Sequence, residues 1–325
     1  EGLYEFMNLM ELDVKDLEGI ELPDIDIERF IESNYQNEGL TDDDEIPEIP
    51  EEPITMPGDI YILGNHRLLC GDSTNKEDVE RLMEGKKADM VFTDPPYAVN
   101  YGHDQDILNK KSGGKFREKI RLIKNDNLTT EDCAKNIWKP AFANYYESAK
   151  DDCSFYMTMC QGGDQMMMMM MMMMSEHWKI KHELIWVKSQ PVFSMGRLDY
   201  DHQHEPILYG WKKKHNWYGK GVFLKSIWEI PKPSKSDMHP TTKPIELIEN
   251  ALLNSSLINN IILDLFLGSG STMIACEKTK RICYGMEIDP HYCDVIVTRY
   301  CKYIGNNNII KNGKEVIWNA LQTQA

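Results

Sequence analysis

Ile261-Ile262-Leu263-Asp264-Leu265-Phe266-Leu267-Gly268-Ser269-Gly270-Ser271-Thr272 is the stretch that decides the fold class of this 325-residue chain. Its apolar run reads as a short buried strand, its glycines as a turn, and Met273-Ile274-Ala275-Cys276-Glu277 as the helix that follows. Gly268 and Gly270 let the backbone come close to a ligand, and the helix amino terminus favours a carboxylate or phosphate. About twenty residues on, Ile282-Cys283-Tyr284-Gly285-Met286-Glu287-Ile288-Asp289 reads as a second strand, and Glu287 at its end suits ribose hydroxyls. The strand–turn–helix–strand unit predicts an α/β fold. A dinucleotide fold is the competing reading, but Gly268-Ser269-Gly270-Ser271-Thr272-Met273 lacks the third glycine of that fingerprint.

Upstream, the buried-strand run Ala88-Asp89-Met90-Val91-Phe92-Thr93 ends in Asp94-Pro95-Pro96-Tyr97. Open α/β sheets place ligands at the carboxyl ends of strands. The Asp94 carboxylate can accept a hydrogen bond from an exocyclic amino group, and the prolines, which lack N–H groups, hold the Pro95 carbonyl as a second acceptor. Tyr97 offers a flat face for a purine. These features describe a pocket for a flipped-out adenine. Four residues alone read more simply as a proline-rich turn with a solvated Asp. The glycine-loop unit downstream changes those odds.

The pattern Asp264-x-Phe266-x-Gly268-Ser269-Gly270-x-Thr272 resembles the S-adenosylmethionine loop of DNA amino-methyltransferases. His239-Pro240-Thr241-Thr242-Lys243-Pro244, leading into an amphipathic helix over Ile245–Leu253, resembles the family's segment for the cofactor's methionine end. By itself that stretch is an ordinary helix start with Pro244 in the first turn. With the catalytic motif first and the cofactor loop last, the order resembles the β-class of adenine-N6 and cytosine-N4 DNA methyltransferases, over residues 57–305. Leu68-Leu69-Cys70-Gly71-Asp72-Ser73 is similar to the family element whose acid meets the cofactor adenine. Asp72 also reads as part of the cap before Val79-Glu80-Arg81-Leu82-Met83, and both roles are compatible. His182–Lys188 resembles the last core strand before target recognition. Asp94 rather than Ser at the head of its motif favours adenine within this family.

The resemblance implies a Rossmann-like S-adenosylmethionine-dependent methyltransferase fold, a doubly wound mixed sheet with an inserted target-recognition region. It implies catalysis by Asp94, Pro95, Pro96 and Tyr97. It implies cofactor binding by Asp72, Asp264, Phe266, Gly268, Ser269, Gly270, Thr272, Glu287, His239, Thr241 and Lys243. Asp94 and the Pro95 carbonyl would accept the two N6 hydrogens of the adenine, with no covalent enzyme intermediate. Cytosine-N4 methylation, methylation of RNA or a protein amide, and a DNA-binding regulator without catalysis are the alternatives. The expected partner is double-stranded DNA, in the cytoplasm of a bacterium or of a phage-infected cell. A homodimer, an upstream domain or partner subunit, and a cognate restriction enzyme stay open.

The formal charge of −16 is unusual for a DNA-binding chain, and its distribution explains it. Residues 1–56 carry 19 of the 52 acids against only Lys15 and Arg29, a net of −17, which leaves the remainder at +1. Within that remainder Gly102–Asn125 holds seven Lys/Arg, among them Lys110, Lys111, Lys115 and Arg117, against three acids. Lys188–Lys243 holds ten, with Arg197, Lys212, Lys213 and Lys214, against five acids, and interleaves aromatic residues. Charge runs are commonly solvated faces. Their positions on either side of the base pocket suggest phosphate contacts instead, which position a protein on DNA without specifying sequence. The eight cysteines form no Cys-x-x-Cys pair, and several fall in buried runs, so reduced thiols, a cytosolic setting and no zinc site are expected. No signal-peptide or membrane-span pattern occurs.

Five segments follow: an acidic leader and stiff linker (1–56), a catalytic half (57–188), a target-recognition region (189–238), a cofactor half (239–305) and a C-terminal appendage (306–325). The leader loosely resembles the linker of methyltransferases with an upstream ParB-like domain, and the start at Glu1 points to a fragment or processed product. Thr129–Lys150 is expected as a helix opened by the capping signal Thr129-Thr130-Glu131-Asp132. Cys153–Met159 is expected as a buried strand and Tyr292–Tyr303 as an amphipathic helix. His202-Gln203-His204-Glu205 lacks the further partners a zinc site needs and reads as satisfied polar residues on the core side. Met166–Met174, nine consecutive methionines, has no amphipathic pattern and supports no functional reading.

Overall fold

Mostly apolar runs rich in branched and aromatic residues build the middle of an eleven-stranded sheet among the described residues, as expected for parallel strands covered on both faces. A computed structural model describes residues 39–97, 128–159, 166–192, 201–218, 224–231 and 242–319. The strands are β1 (Ile60–Leu63), β2 (His66–Cys70), β3 (Ala88–Thr93), β4 (Ala149–Thr158), β5 (Lys179–Val192), β6 (His202–Trp211), β7 (Ile227–Glu229), β8 (Ile261–Asp264), β9 (Ile282–Glu287), β10 (Asn308–Lys311) and β11 (Lys314–Ile317). They lie in the order β11-β10-β1-β2-β9-β8-β3-β4-β6-β5-β7. The stretch β2-β9-β8-β3-β4 is parallel, while β6 is antiparallel to both β4 and β5. The sheet is therefore mixed, as expected.

Helices cover both faces. On one side pack α5 (Ile245–Ser255), α6 (Ser271–Lys278) and α7 (Pro290–Ile304), against Met90, Phe92, Tyr156 and Ile262. On the other pack α1 (Lys76–Met83), α2 (Thr130–Cys133), a π-helical turn (Ala134–Trp138), α3 (Lys139–Ser148) and α4 (Met166–Ser175), against Val91, Phe155, Met157 and Leu263. Alternate residues of one strand thus serve opposite cores, which is the period-two rule applied to a sheet buried twice. The expected helix over Thr129–Lys150 carries this π segment and ends at Ser148, with Lys150 already in β4. Thr129 does cap it, its hydroxyl accepting from the Asp132 N–H at 3.1 Å. The methionine run forms α4 and buries Met170 and Met174, one turn apart, while Met168 and Met172 stay exposed.

Three of the expected segments are drawn differently in the fold. Residues 39–56 are bound to the body rather than held off as a linker. Asp43 pairs with Lys278 at 2.6 Å, and the Asp44 carboxylate accepts from the Ile245 N–H at 3.0 Å. The buried Asp294 carboxylate accepts from the Ile54 and Thr55 N–H groups at 2.6 and 3.0 Å. Residues 306–319 continue the sheet: β10 pairs with β1, and buried Trp318 donates to Thr298 Oγ1 at 2.9 Å. The 189–238 region supplies β6 and β7, so part of the expected insertion is core sheet. Among the described residues no helix is long and apolar enough to cross a membrane.

Candidate active site

From the β3–β8 pair the connections run in opposite directions, β3 to β4 on one side and β8 to β9 on the other. Open α/β sheets bind ligands at such a switch point, beyond the carboxyl ends of the strands. Asp94 follows β3 there, and Asp264 ends β8 beside it. Tyr145 of α3 ties the two ends together: its hydroxyl lies 2.7 Å from Thr93 Oγ1 and accepts from the Leu265 N–H at 2.5 Å. Nothing in the sequence singled it out, because its partners are 52 and 120 residues away.

Asp94 is held from three sides. The hydroxyls of Tyr97 and of Thr158, at the end of β4, donate to Oδ1, and the Lys243 ammonium donates to Oδ2 at 2.6 Å. The Pro96 carbonyl accepts from the Trp138 indole N–H at 2.8 Å. Among the described residues no donor reaches the Pro95 carbonyl. Lys243 is buried and also lies 3.4 Å from Glu205 Oε2, while Glu205 Oε1 accepts from Lys188 Nζ at 2.5 Å. Burial works against the Lys243 ammonium, but the carboxylates of Asp94 and Glu205 outweigh it and push its pKa up to about 12. Burial likewise opposes the Glu205 carboxylate, and Lys243 and Lys188 hold it below the usual range. Lys243, expected near the cofactor's methionine end, thus sits on the catalytic-motif carboxylate. Thr158, Lys188 and Glu205 join the site unforeseen. Thr158 ends β4, Lys188 lies within β5 and Glu205 belongs to the polar run His202–Glu205 at the start of β6, and only strand pairing reveals the neighbour.

The cofactor candidates gather one strand over. Gly268 has φ +56°, and a Cβ built there meets nothing within 4 Å, so the turn leaves open space along its backbone. Gly270, with φ +88°, starts α6 and packs closely on Ile296. The Asp264 carboxylate accepts from the Phe266 N–H at 3.1 Å and the Thr272 hydroxyl at 2.6 Å, which braces the loop from within. Burial pushes the Asp264 carboxyl up to about 7. It does the same to Glu287, whose two oxygens accept from the Asp289 and Gly268 N–H groups, each at 2.9 Å. Asp72 joins the group because Gly71 N–H donates to the Glu287 carbonyl at 3.0 Å, and its own carboxylate is turned onto Thr74. The Ser269 carbonyl accepts from buried Arg299 at 3.0 Å. An open glycine turn between buried acids on adjacent strand ends fits a nucleoside cofactor.

The basic candidates fare unevenly. Lys110, Lys111, Lys115, Arg117 and Arg197 lie outside the described residues, as do His239 and Thr241. Lys212 is buried and donates to the carbonyls of Tyr146 and Ala149 at 2.6 and 2.9 Å, so it is a brace within the fold and not a phosphate contact. Lys213 pairs with Asp151 at 3.1 Å. Both stand near the start of β4, since the Lys212 N–H donates to the Cys153 carbonyl at 3.0 Å, whereas Asp94 is at its far end beside Thr158. Five residues of strand separate the ends, roughly 16 Å. Lys214 shares that location, its N–H donating to the Asp151 carbonyl at 3.0 Å.

Comparison with known proteins gives the family and the fold. A family model described as DNA methylase matches residues 88–298. The chain is 28% identical over 249 residues to the Type II methyltransferase M2.LlaDCHI of Lactococcus lactis subsp. cremoris, covering 66% of this chain and 82% of that protein. It is 26% identical over 238 residues to M2.DpnII of Streptococcus pneumoniae, again covering 66% and 82%. The match to M.Cfr9I of Citrobacter freundii, 27% identical, spans 38% of this chain and only 44% of that protein. Among solved structures, the cytosine-N4-specific PvuII DNA methyltransferase shares the fold with a TM-score of 0.55 at 15% identity, over 79% of this chain and 92% of that one. The M1.HpyAVI–SAM complex does so with a TM-score of 0.50 at 22% identity, over 71% and 98%.

Proposed function

The chain belongs to the N6/N4 DNA methylase family, and from that premise we propose that it is an adenine-N6 methyltransferase acting on double-stranded DNA with S-adenosylmethionine. The observation that carries the reading is the place of Asp94: a carboxylate at the topological switch point, next to the open glycine turn at Gly268. S-adenosylmethionine, when bound, supplies an activated methyl group on a sulfonium. Gly268, Ser269 and Gly270 would accommodate it, with Phe266, Asp72 and Glu287 around its nucleoside and Asp264 and Thr272 bracing the loop.

Asp94 and the Pro95 carbonyl would accept the two hydrogens of the target amino group. That orients the nitrogen lone pair out of the ring plane, and it polarises the amino group without forming a bond to the enzyme. Catalysis of this kind is positioning and electrostatics. Tyr97 would stack on the extruded base and offset part of the few kcal/mol that extrusion costs. The cationic run with Lys110, Lys111, Lys115 and Arg117 would meet phosphates, on the strength of its charge. The 189–238 region, Arg197 included, would read the site.

The test is to incubate the protein with methyl-labelled S-adenosylmethionine and unmethylated DNA, and then to separate the nucleosides. Label in N6-methyladenine is expected. Label in N4-methylcytosine would keep the family and replace the base, and no transfer to DNA would overturn the reading.

A further inference from the structure

Four charged side chains form an alternating row, its lysines buried and its acids half-buried: Lys188, Glu205, Lys243 and Asp94. Two are acids and two are bases, so the row is neutral. Lys188 and Glu205 are brought together by the β5–β6 ladder, where Trp186 faces Glu205. Lys243 enters from the segment before α5. Its ammonium stands closer to Asp94 Oδ2, at 2.6 Å, than to Glu205 Oε2, at 3.4 Å. Glu205 Oε2 is itself buried and, among the described residues, makes only the long ion pair to that ammonium, short of hydrogen-bond geometry, so it is an under-used acceptor aimed at it.

This arrangement creates a competition. A target amino group needs Asp94, yet Oδ1 already takes two hydroxyls and Oδ2 takes an ammonium. An ammonium is a stronger donor to a carboxylate than a neutral amino group. Displacing it into a buried site without a partner would be prohibitive. A second carboxylate oxygen roughly 0.5 Å beyond the length of a charge-assisted hydrogen bond removes that obstacle.

We propose that Glu205 is a positioning residue that receives Lys243 when the target amino group takes Asp94. The row thereby frees the catalytic carboxylate at the moment the base arrives. No covalent bond changes in this step; one hydrogen bond from Lys243 is exchanged for another. Glu205 lies on a strand of the region expected to recognise the target, so seating of the DNA and release of Asp94 meet at one side chain. The inference rests on the methyltransferase reading above.

The test uses the full chain carrying Glu205→Gln. Single-turnover methylation of DNA is expected to slow by about tenfold or more, while binding of S-adenosylhomocysteine and of DNA stays as in the wild type. With Lys243→Met in the same chain, Glu205→Gln is expected to cost nothing further, because no ammonium remains to be received. Lys188→Met combined with Glu205→Gln keeps the row neutral and is expected to fold and still turn over slowly. Wild-type turnover by Glu205→Gln, or a loss that adds to that of Lys243→Met, overturns the proposal. If the wild type itself transfers no label to DNA, the underlying reading fails, and the proposal falls with it.

Discussion

Asp94 combines exposure enough to meet a ligand with three resident donors, one of them charged. Asp94→Ala is expected to reduce methyl transfer to background while S-adenosylhomocysteine still binds, as calorimetry would measure; substantial surviving turnover would remove Asp94 from the reaction. Glu287 carries a pH prediction. Burial raises its carboxyl to about 7, so below that pH the free protein prefers the protonated form, and the stability this gives is lost as pH rises from the usual carboxylate range through about 7. Ribose hydroxyls would donate to the ionised form. Cofactor affinity is therefore expected to weaken by up to about tenfold per pH unit below 7, and Glu287→Gln to flatten that dependence. A titration of binding against pH that shows the same slope in both proteins would refute the assignment.

At the scale of elements, the segment 39–56 is a clasp around the cofactor half. Arg299 of α7 links its acidic end to the glycine turn, donating to the Ser269 carbonyl at 3.0 Å and to the Asp43 carbonyl at 2.8 Å. Burial presses the Arg299 pKa down to about 10, and Asp44, Asp43 and Asp42 act in the opposite direction. The acidic run Asp42-Asp43-Asp44, which looks like solvated leader, lies near enough to a buried arginine to favour its charge, while the Asp43 carboxylate itself pairs with Lys278. Asp294 fastens the other end, accepting two backbone N–H groups and the Thr55 hydroxyl while fully buried. Asp294→Ala strands those donors and is expected to lower stability by about 2–4 kcal/mol in chemical denaturation. A change within experimental scatter would show that the clasp contributes nothing to holding the fold.

Across the whole molecule, the sheet has two ends with different jobs. Lys212 and Lys213 are at the amino end of β4, and Asp94 is beside its carboxyl end. Lys213→Ala with Lys214→Ala is expected to leave DNA affinity and its salt dependence unchanged, whereas Lys212→Met is expected to cost about 1–3 kcal/mol of stability. A weakened, less salt-sensitive complex in the first variant would return those lysines to the DNA surface. The sequence by itself determined the α/β class, the strand bearing Asp94, the glycine turn at Gly268 and the acid at Glu287. Each is a local pattern of period and turn chemistry, carried by a dozen residues or fewer. Tertiary structure alone decided that Lys243 serves Asp94, that Glu205 stands behind it, that Tyr145 joins two strand ends, and that the Asp43 carbonyl holds Arg299. Those contacts join residues far apart in the chain, and a charged residue shows no sign in its own neighbourhood of whether it will face water or a buried partner. Strand order settles that, because it chooses which strand ends meet.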